Sequence, residues 1–82
     1  MKIVYLVIQP VGSSAELRLC GPIISRHRTP RAAALAISRE NRALHSQPGM
    51  EQSWVERVIV AVDAGETRHL NAEESEEVWR AP

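Results

Sequence analysis

The sequence has no phenylalanine, and among its 82 residues the only large aromatics are Tyr5, Trp54 and Trp79. Its core must therefore be built from Val, Ile, Leu and Ala, and a chain this short has little apolar volume to bury. The two tryptophans, its bulkiest apolar side chains, are expected to anchor that core. Cysteine is nearly absent as well. Cys20 stands alone, which excludes an intramolecular disulfide and fits a reducing cytosol. It reads as a small strand residue. Long apolar runs are missing: Ile3 to Ile8 is too short for a membrane span or a signal-peptide core, so a cytoplasmic protein with no membrane partner is expected. No repeat, linker or low-complexity tract divides residues 1–82, which read as a single small domain.

Recognisable chemistry is also missing. The histidines, His27, His45 and His69, fall in three different elements with no ligand spacing between them. No glycine-rich phosphate loop follows a strand, and no Ser or Cys sits in a nucleophile turn. Nothing selects an acid–base pair such as Glu40 with His27. The expectation is a protein that is not an enzyme, with no catalytic residue, no metal and no cofactor.

What the sequence does have is segregated charge. The net charge is zero, yet residues 1–42 carry seven Lys and Arg against two acids, a net of +5. Residues 43–82 carry three Arg against eight acids, a net of −5. A small dipolar protein can neutralise itself, associate head to tail, or present one charged face to a partner.

Pattern predicts the elements. Lys2 to Gln9 is a continuous apolar strand, buried on both faces and hence central. Pro10 to Ser14 is a turn. Glu16 to Cys20 alternates polar and apolar as a half-exposed strand does, Gly21-Pro22 breaks it, and Ile23-Ile24 continue it, so the two runs form a hairpin. Thr29 can cap a helix and Pro30 suits its first position, which starts a helix from about Pro30 to about His45. Ala32, Ala33, Ala36, Ile37, Ala43 and Leu44 share its broad apolar face, and Leu35 falls off it. Glu40 lies within that face, either as a buried functional carboxylate or, more commonly for such a residue, at the rim and paired with an Arg. Pro48-Gly49 ends the helix region in a long loop. Trp54 to Asp63 is the next strand, with Trp54, Val58, Val60 and Val62 on one face and Val55, Arg57, Ile59 and Ala61 on the other. Asp63 to Glu66 turns the chain into a short returning strand, Thr67 to Leu70. Asn71 and Glu74 then match a capping box that opens a glutamate-rich helix, with Val78 and Trp79 anchoring it. The fold class is α+β, in the order β-β-α-β-β-α: an antiparallel sheet of three or four strands, one main helix across one face and a short C-terminal helix.

The chain is organised around the basic stretch Ser25 to Arg31, which reads as a loop opening the main helix. Arg26, His27, Arg28 and Arg31, with Arg39 and Arg42 further along the helix, are the candidate binding residues. Cations at a helix N-terminus oppose its dipole, so they are solvated, paired with the acidic half, or placed to hold an anion such as a nucleic-acid phosphate. The chain as a whole is not basic, and no aromatic lies in the stretch for base stacking.

The short length, the β-β-α-β-β core over Lys2 to Leu70 and the Arg/Ala-rich central helix resemble small phage and mobile-element proteins of the anti-CRISPR type. That resemblance rests on layout and carries no diagnostic motif. It implies a non-enzymatic inhibitor that occupies a surface on a larger protein or nucleoprotein complex. The order is also similar to double-stranded-RNA-binding and integrase arm-binding folds, whose signature residues are absent. Neither resemblance transfers a site residue. Two readings follow: an interaction protein that engages a larger partner through a charged face and self-associates as a homodimer, or a nucleic-acid-binding module that uses the Arg26 to Arg31 stretch.

Overall fold

The computed structural model describes residues 2–80. It contains β1 (Val4–Ile8), β2 (Ile23–His27), α1 (Pro30–His45), β3 (Val58–Asp63), β4 (Glu66–His69) and α2 (Ala72–Arg80). The four strands form one antiparallel sheet in the order β2-β1-β3-β4. The expected α+β order is present, and the sheet has four strands. α1 carries the chain from the edge strand β2 past β1 to β3.

Strand register assigns the two faces. Tyr5 pairs with Ala61 and Val7 with Ile59, and these side chains meet Ala33 of α1 in the core, with Ile3, Ile37 and Leu70 packed around them. Ala33 has no exposed surface, so small residues on α1 bring the helix down onto the sheet. Val4, Leu6 and Ile8 point to the opposite face with their partners Val62, Val60 and Val58. Only part of that open face is covered. Ile8 and Val60 are buried, whereas Val4 is exposed and Leu6 half-buried, so β1 is central but not buried along its whole length.

The segment 9–22 supplies the partial cover. The expected strand Glu16 to Cys20 is instead a set of turns with one 3-10 turn at Leu17–Leu19. Its backbone bonds are local: Leu17 N–H donates to Ser14 Oγ and Arg18 N–H to Ser14 O. His69 Nε2 donates to Ala15 O at 2.9 Å and ties the segment to β4. The strand that pairs with β1 is Ile23–His27, so Arg26 and His27 lie in a strand and the basic loop shrinks to Arg28-Thr29. Gly21 makes the approach to β2 feasible. It has φ +145°, and a Cβ there would lie 1.8 Å from Gln9 O, beside the Gln9 N–H to Pro22 O bond.

α1 starts as expected, with Thr29 Oγ1 accepting from Ala32 N–H at 3.1 Å and Pro30 in the first turn. Glu40 sits at the rim and pairs with Arg57, whose Nε and Nη2 donate to Oε1 at 3.0 Å and Oε2 at 2.6 Å. Asn41 is buried, and its Oδ1 accepts from Val55 N–H at 2.8 Å. These bonds hold the segment 53–57 against α1, so the strand begins at Val58 and not at Trp54.

α2 is docked through Glu74. Asn71 and Glu74 form the expected capping box, each side chain accepting from the other's backbone N–H at 2.9 Å. The Glu74 carboxylate also accepts from Tyr5 Oη at 2.5 Å and from Arg68 Nη1 and Nη2, at 2.6 and 3.2 Å. It is 6% exposed. The Arg68 guanidinium holds its pKa down to about 2 against the cost of burial. Burial and the adjacent Glu74 carboxylate push the Tyr5 hydroxyl up to about 12.

The tryptophans contradict the sequence expectation. Trp54 is 73% and Trp79 87% exposed, and the core closes without them. Trp54 belongs to the segment latched to α1, and Trp79 lies on α2 beyond the polar Glu74 dock, so neither is aimed between helix and sheet.

Two stability predictions follow from this packing. Gly21→Ala should destabilise by more than about 1 kcal/mol, because the native φ excludes a side chain, and denaturant unfolding would show it. Arg68→Met should cost roughly 3–5 kcal/mol at neutral pH, because a buried carboxylate loses its partner. The cost should shrink as pH falls, because the buried Glu74 carboxyl of the variant, without its cation, takes up a proton more readily than that of the wild type. In the wild type the Glu74 contribution is present above the usual carboxylate range and lost as pH falls towards 2. The Tyr5 contribution is complete below pH 10 and lost as pH rises towards 12. Unfolding midpoints measured across pH test both signs.

Candidate functional site

The ion pairs divide the cations by position. Arg57 pairs with Glu40, Arg68 with Asp63 and Glu74, Arg80 with Glu76, and Arg18 lies 3.8 Å from Glu56. Every arginine beyond residue 42 is therefore paired. Among the described residues Lys2, Arg26, Arg28, Arg31, Arg39 and Arg42 have no carboxylate partner. In the basic half self-neutralisation across the two halves is confined to Arg18, and the glutamates of α2 do not reach the Ser25 to Arg31 stretch.

These cations form two groups. Arg26 projects from the open face of the sheet opposite Leu6, and Arg28 follows in the short loop. Lys2, Ile3, Val4 and Arg28 line a shallow cavity of about 440 Å³ at this end. Exposed Val4 (39%) and Ile24 (44%) supply an apolar surface next to the cations. Arg31, Arg39 and Arg42 are exposed on α1, the last two about 12 and 16 Å along the axis from the first at 1.5 Å per residue. The first turn of α1 contains no acid, so Arg31 faces the positive end of the helix dipole without compensation.

The sequence grouping of Arg26 with His27 does not survive the strand assignment. Adjacent strand residues face opposite sides. His27 pairs with Tyr5 on the helix face, is half-buried, and shares a 2.7 Å hydrogen bond with Ser25 Oγ. It is not part of the cationic surface. Lys2 is, and sequence reasoning missed it because a lone lysine before an apolar strand carries no spacing signal.

A second surface lies between the helices. Ala34, Ile37, Ile59 and Val78 floor a groove of about 360 Å³ walled by Trp54 and Trp79. Ser38, Asn41, Arg42 and His45 extend it along α1 on the other side of Trp54, as an adjoining cavity of about 250 Å³. The His45 ring meets Trp54 edge-on with centroids 4.7 Å apart, and its Nε2 donates to Ser53 O at 2.6 Å. The helical period of α1 could not reveal this groove, because Trp54 reaches it from a separate segment.

Among the described residues no group of three or more His, Cys, Asp or Glu side chains is placed to hold a metal, and no helix is long and apolar enough to cross a membrane. Compared with known proteins, the chain matches no protein-family model, no curated sequence and no solved structure.

Replacing Arg26, Arg28 and Arg31 together by Gln should leave the fold intact. It should raise stability by a few tenths of a kcal/mol, about the size of a helix-dipole repulsion removed at an exposed site. Thermal melts with near-native circular dichroism check this, and unfolding of the variant would show the arginines to be structural.

Proposed function

We propose that the protein is a small non-enzymatic interaction protein that binds a larger protein or nucleoprotein complex through the end of the molecule carrying Lys2, Arg26 and Arg28. One observation carries the reading: unpaired Lys2 and Arg28 flank exposed Val4, and unpaired Arg26 follows exposed Ile24 along the same edge strand. In a chain whose later arginines all have carboxylate partners, these three stand free beside apolar surface. An apolar patch with a cationic rim complements a protein surface that presents apolar side chains ringed by Asp and Glu. Inhibition of the partner by occupying its surface belongs to the proposal through the layout resemblance alone. The lone, exposed Cys20 suits a reducing cytoplasm.

The unpaired stripe Arg31, Arg39 and Arg42 favours a second reading, in which α1 tracks a nucleic-acid backbone. The apolar rather than aromatic character of the Val4 and Ile24 surface gives bases nothing to stack on, so the protein partner is preferred.

The discriminating experiment is capture of partners from a lysate of the source organism, with and without nuclease, on the wild type and on an Arg26→Glu/Arg28→Glu variant. The proposal expects a protein that is retained after nuclease and lost in the variant. Capture abolished by nuclease supports the nucleic-acid reading, as does a steep log–log loss of affinity with salt. Equal, nuclease-resistant capture by the variant contradicts the proposal.

A further inference from the structure

The groove between α1 and α2 is an apolar surface that nothing within the chain covers. Its walls are the two largest apolar side chains of a sequence without phenylalanine, and both stand in solvent. Its shape is fixed in advance. His45 braces Trp54, Ser53 O holds His45, and buried Asn41 holds Val55. A rigid receptor of this kind loses little conformational freedom on binding.

The molecule as a whole is more open than a compact monomer of its mass. The chain exposes 5768 Å², whereas a compact monomer of its 9.1 kDa mass exposes about 4,900 Å². The excess of about 900 Å² is close to the roughly 800 Å² that each partner contributes to a standard interface. The radius of gyration agrees in direction, at 13.0 Å against about 11.7 Å for a compact chain of this length.

Charge selects the occupant. α1 exposes the unpaired Arg31, Arg39 and Arg42, its Glu40 being held by Arg57, and α2 exposes Glu73, Glu76 and Glu77 against Arg80, a net of −2, its Glu74 being buried on Arg68. Arg42, which lacks a carboxylate partner, lines the cavity that adjoins the groove across Trp54. Glu76 precedes Trp79 by three residues and so shares its face of α2. A two-fold axis across the groove sets α2 of each protomer against α1 of the other, which brings opposite charges together twice. We propose that the protein forms an isologous homodimer in which Trp79 of each protomer seats in the groove of the other, between Trp54 and the α1 face, with Glu76 opposite Arg42. The cationic end with Lys2, Arg26 and Arg28 stays outside this interface.

Sedimentation equilibrium on the purified protein alone tests this, across a concentration series, without any partner. The expected mass is twice that of the chain, falling towards one chain on dilution, with a red shift of tryptophan emission as Trp79 leaves the groove. Trp79→Ala should weaken the dimer at least roughly 30-fold, the hot-spot threshold of 2 kcal/mol converted at 1.4 kcal/mol per tenfold. Its circular dichroism should remain native, since Trp79 takes no part in the monomer core. Arg42→Glu and Glu76→Arg should each weaken association, and the two together should restore it. A wild type that remains monomeric at the highest concentration overturns the proposal, including one that gains mass only with an added oligonucleotide or foreign protein. A dimer undiminished by Trp79→Ala, or a charge swap that restores nothing, overturns it equally.

Discussion

An ionised glutamate inside the protein is the constraint on which the remaining architecture depends. Glu74 accepts four hydrogen bonds, from Tyr5 of β1, from two nitrogens of Arg68 of β4, and from the backbone N–H of Asn71. A buried carboxylate is costly unless paired and fully hydrogen-bonded, and here every acceptor direction is used. The arrangement joins the first strand, the last strand and the last helix at one point. In a chain with so small an apolar core, polar docking replaces the side-chain volume that a phenylalanine would otherwise provide. Among the described residues no buried side-chain nitrogen or oxygen lacks a partner.

That same dock shapes the outer surface. Arg68 is committed to Glu74 and Asp63, Arg57 to Glu40 and Arg80 to Glu76, so acids of both halves are matched within residues 40–80. Among the described residues Glu16, Glu51, Glu66, Glu73 and Glu77 make no ion pair, and none of them reaches Lys2, Arg26, Arg28, Arg31, Arg39 or Arg42. The result is a molecule whose positive charge is displayed at the β2 end and along α1. β2 is also an edge strand with exposed isoleucines. Its short length, the register shift between Val7 and Ile8 and the charge of Arg26 all discourage indiscriminate strand pairing there. The cations thus protect the edge from promiscuous contacts.

Much of this was legible in the residues. Thr29-Pro30 and Asn71-Ala72-Glu73-Glu74 are local cap signatures, and both helices start where those residues place them. The alternation along Val58 to Val62 and the pairing of Glu40 with an arginine were readable for similar reasons: periodicity fixes a face, and an acid on an apolar face needs a cation. What was not legible is non-local. Glu16 to Cys20 alternates like a strand, but serine side-chain bonds and the His69 tether, formed across 54 residues of sequence, hold it in turns. Trp54 and Trp79 read as core by composition, yet Asn41 and Glu74 decide where their segments lie. The loop reading of Ser25 to Arg31 hid a separation that the strand period dictates: Arg26 lies on the open face of the sheet and His27 on the helix face.

The claim at the centre of this account is that Glu74 is ionised within the fold and commits Arg68 and Tyr5 to itself. Carbon-13 NMR of the side-chain carboxyls, followed from neutral pH down to the onset of acid unfolding, reads that state directly. The account predicts that the Glu74 carboxyl keeps its ionised shift through the range in which the exposed glutamates titrate, with a midpoint near 2. A Glu74 midpoint alongside the other glutamates, in the ordinary range of about 4 to 4.5, would contradict it.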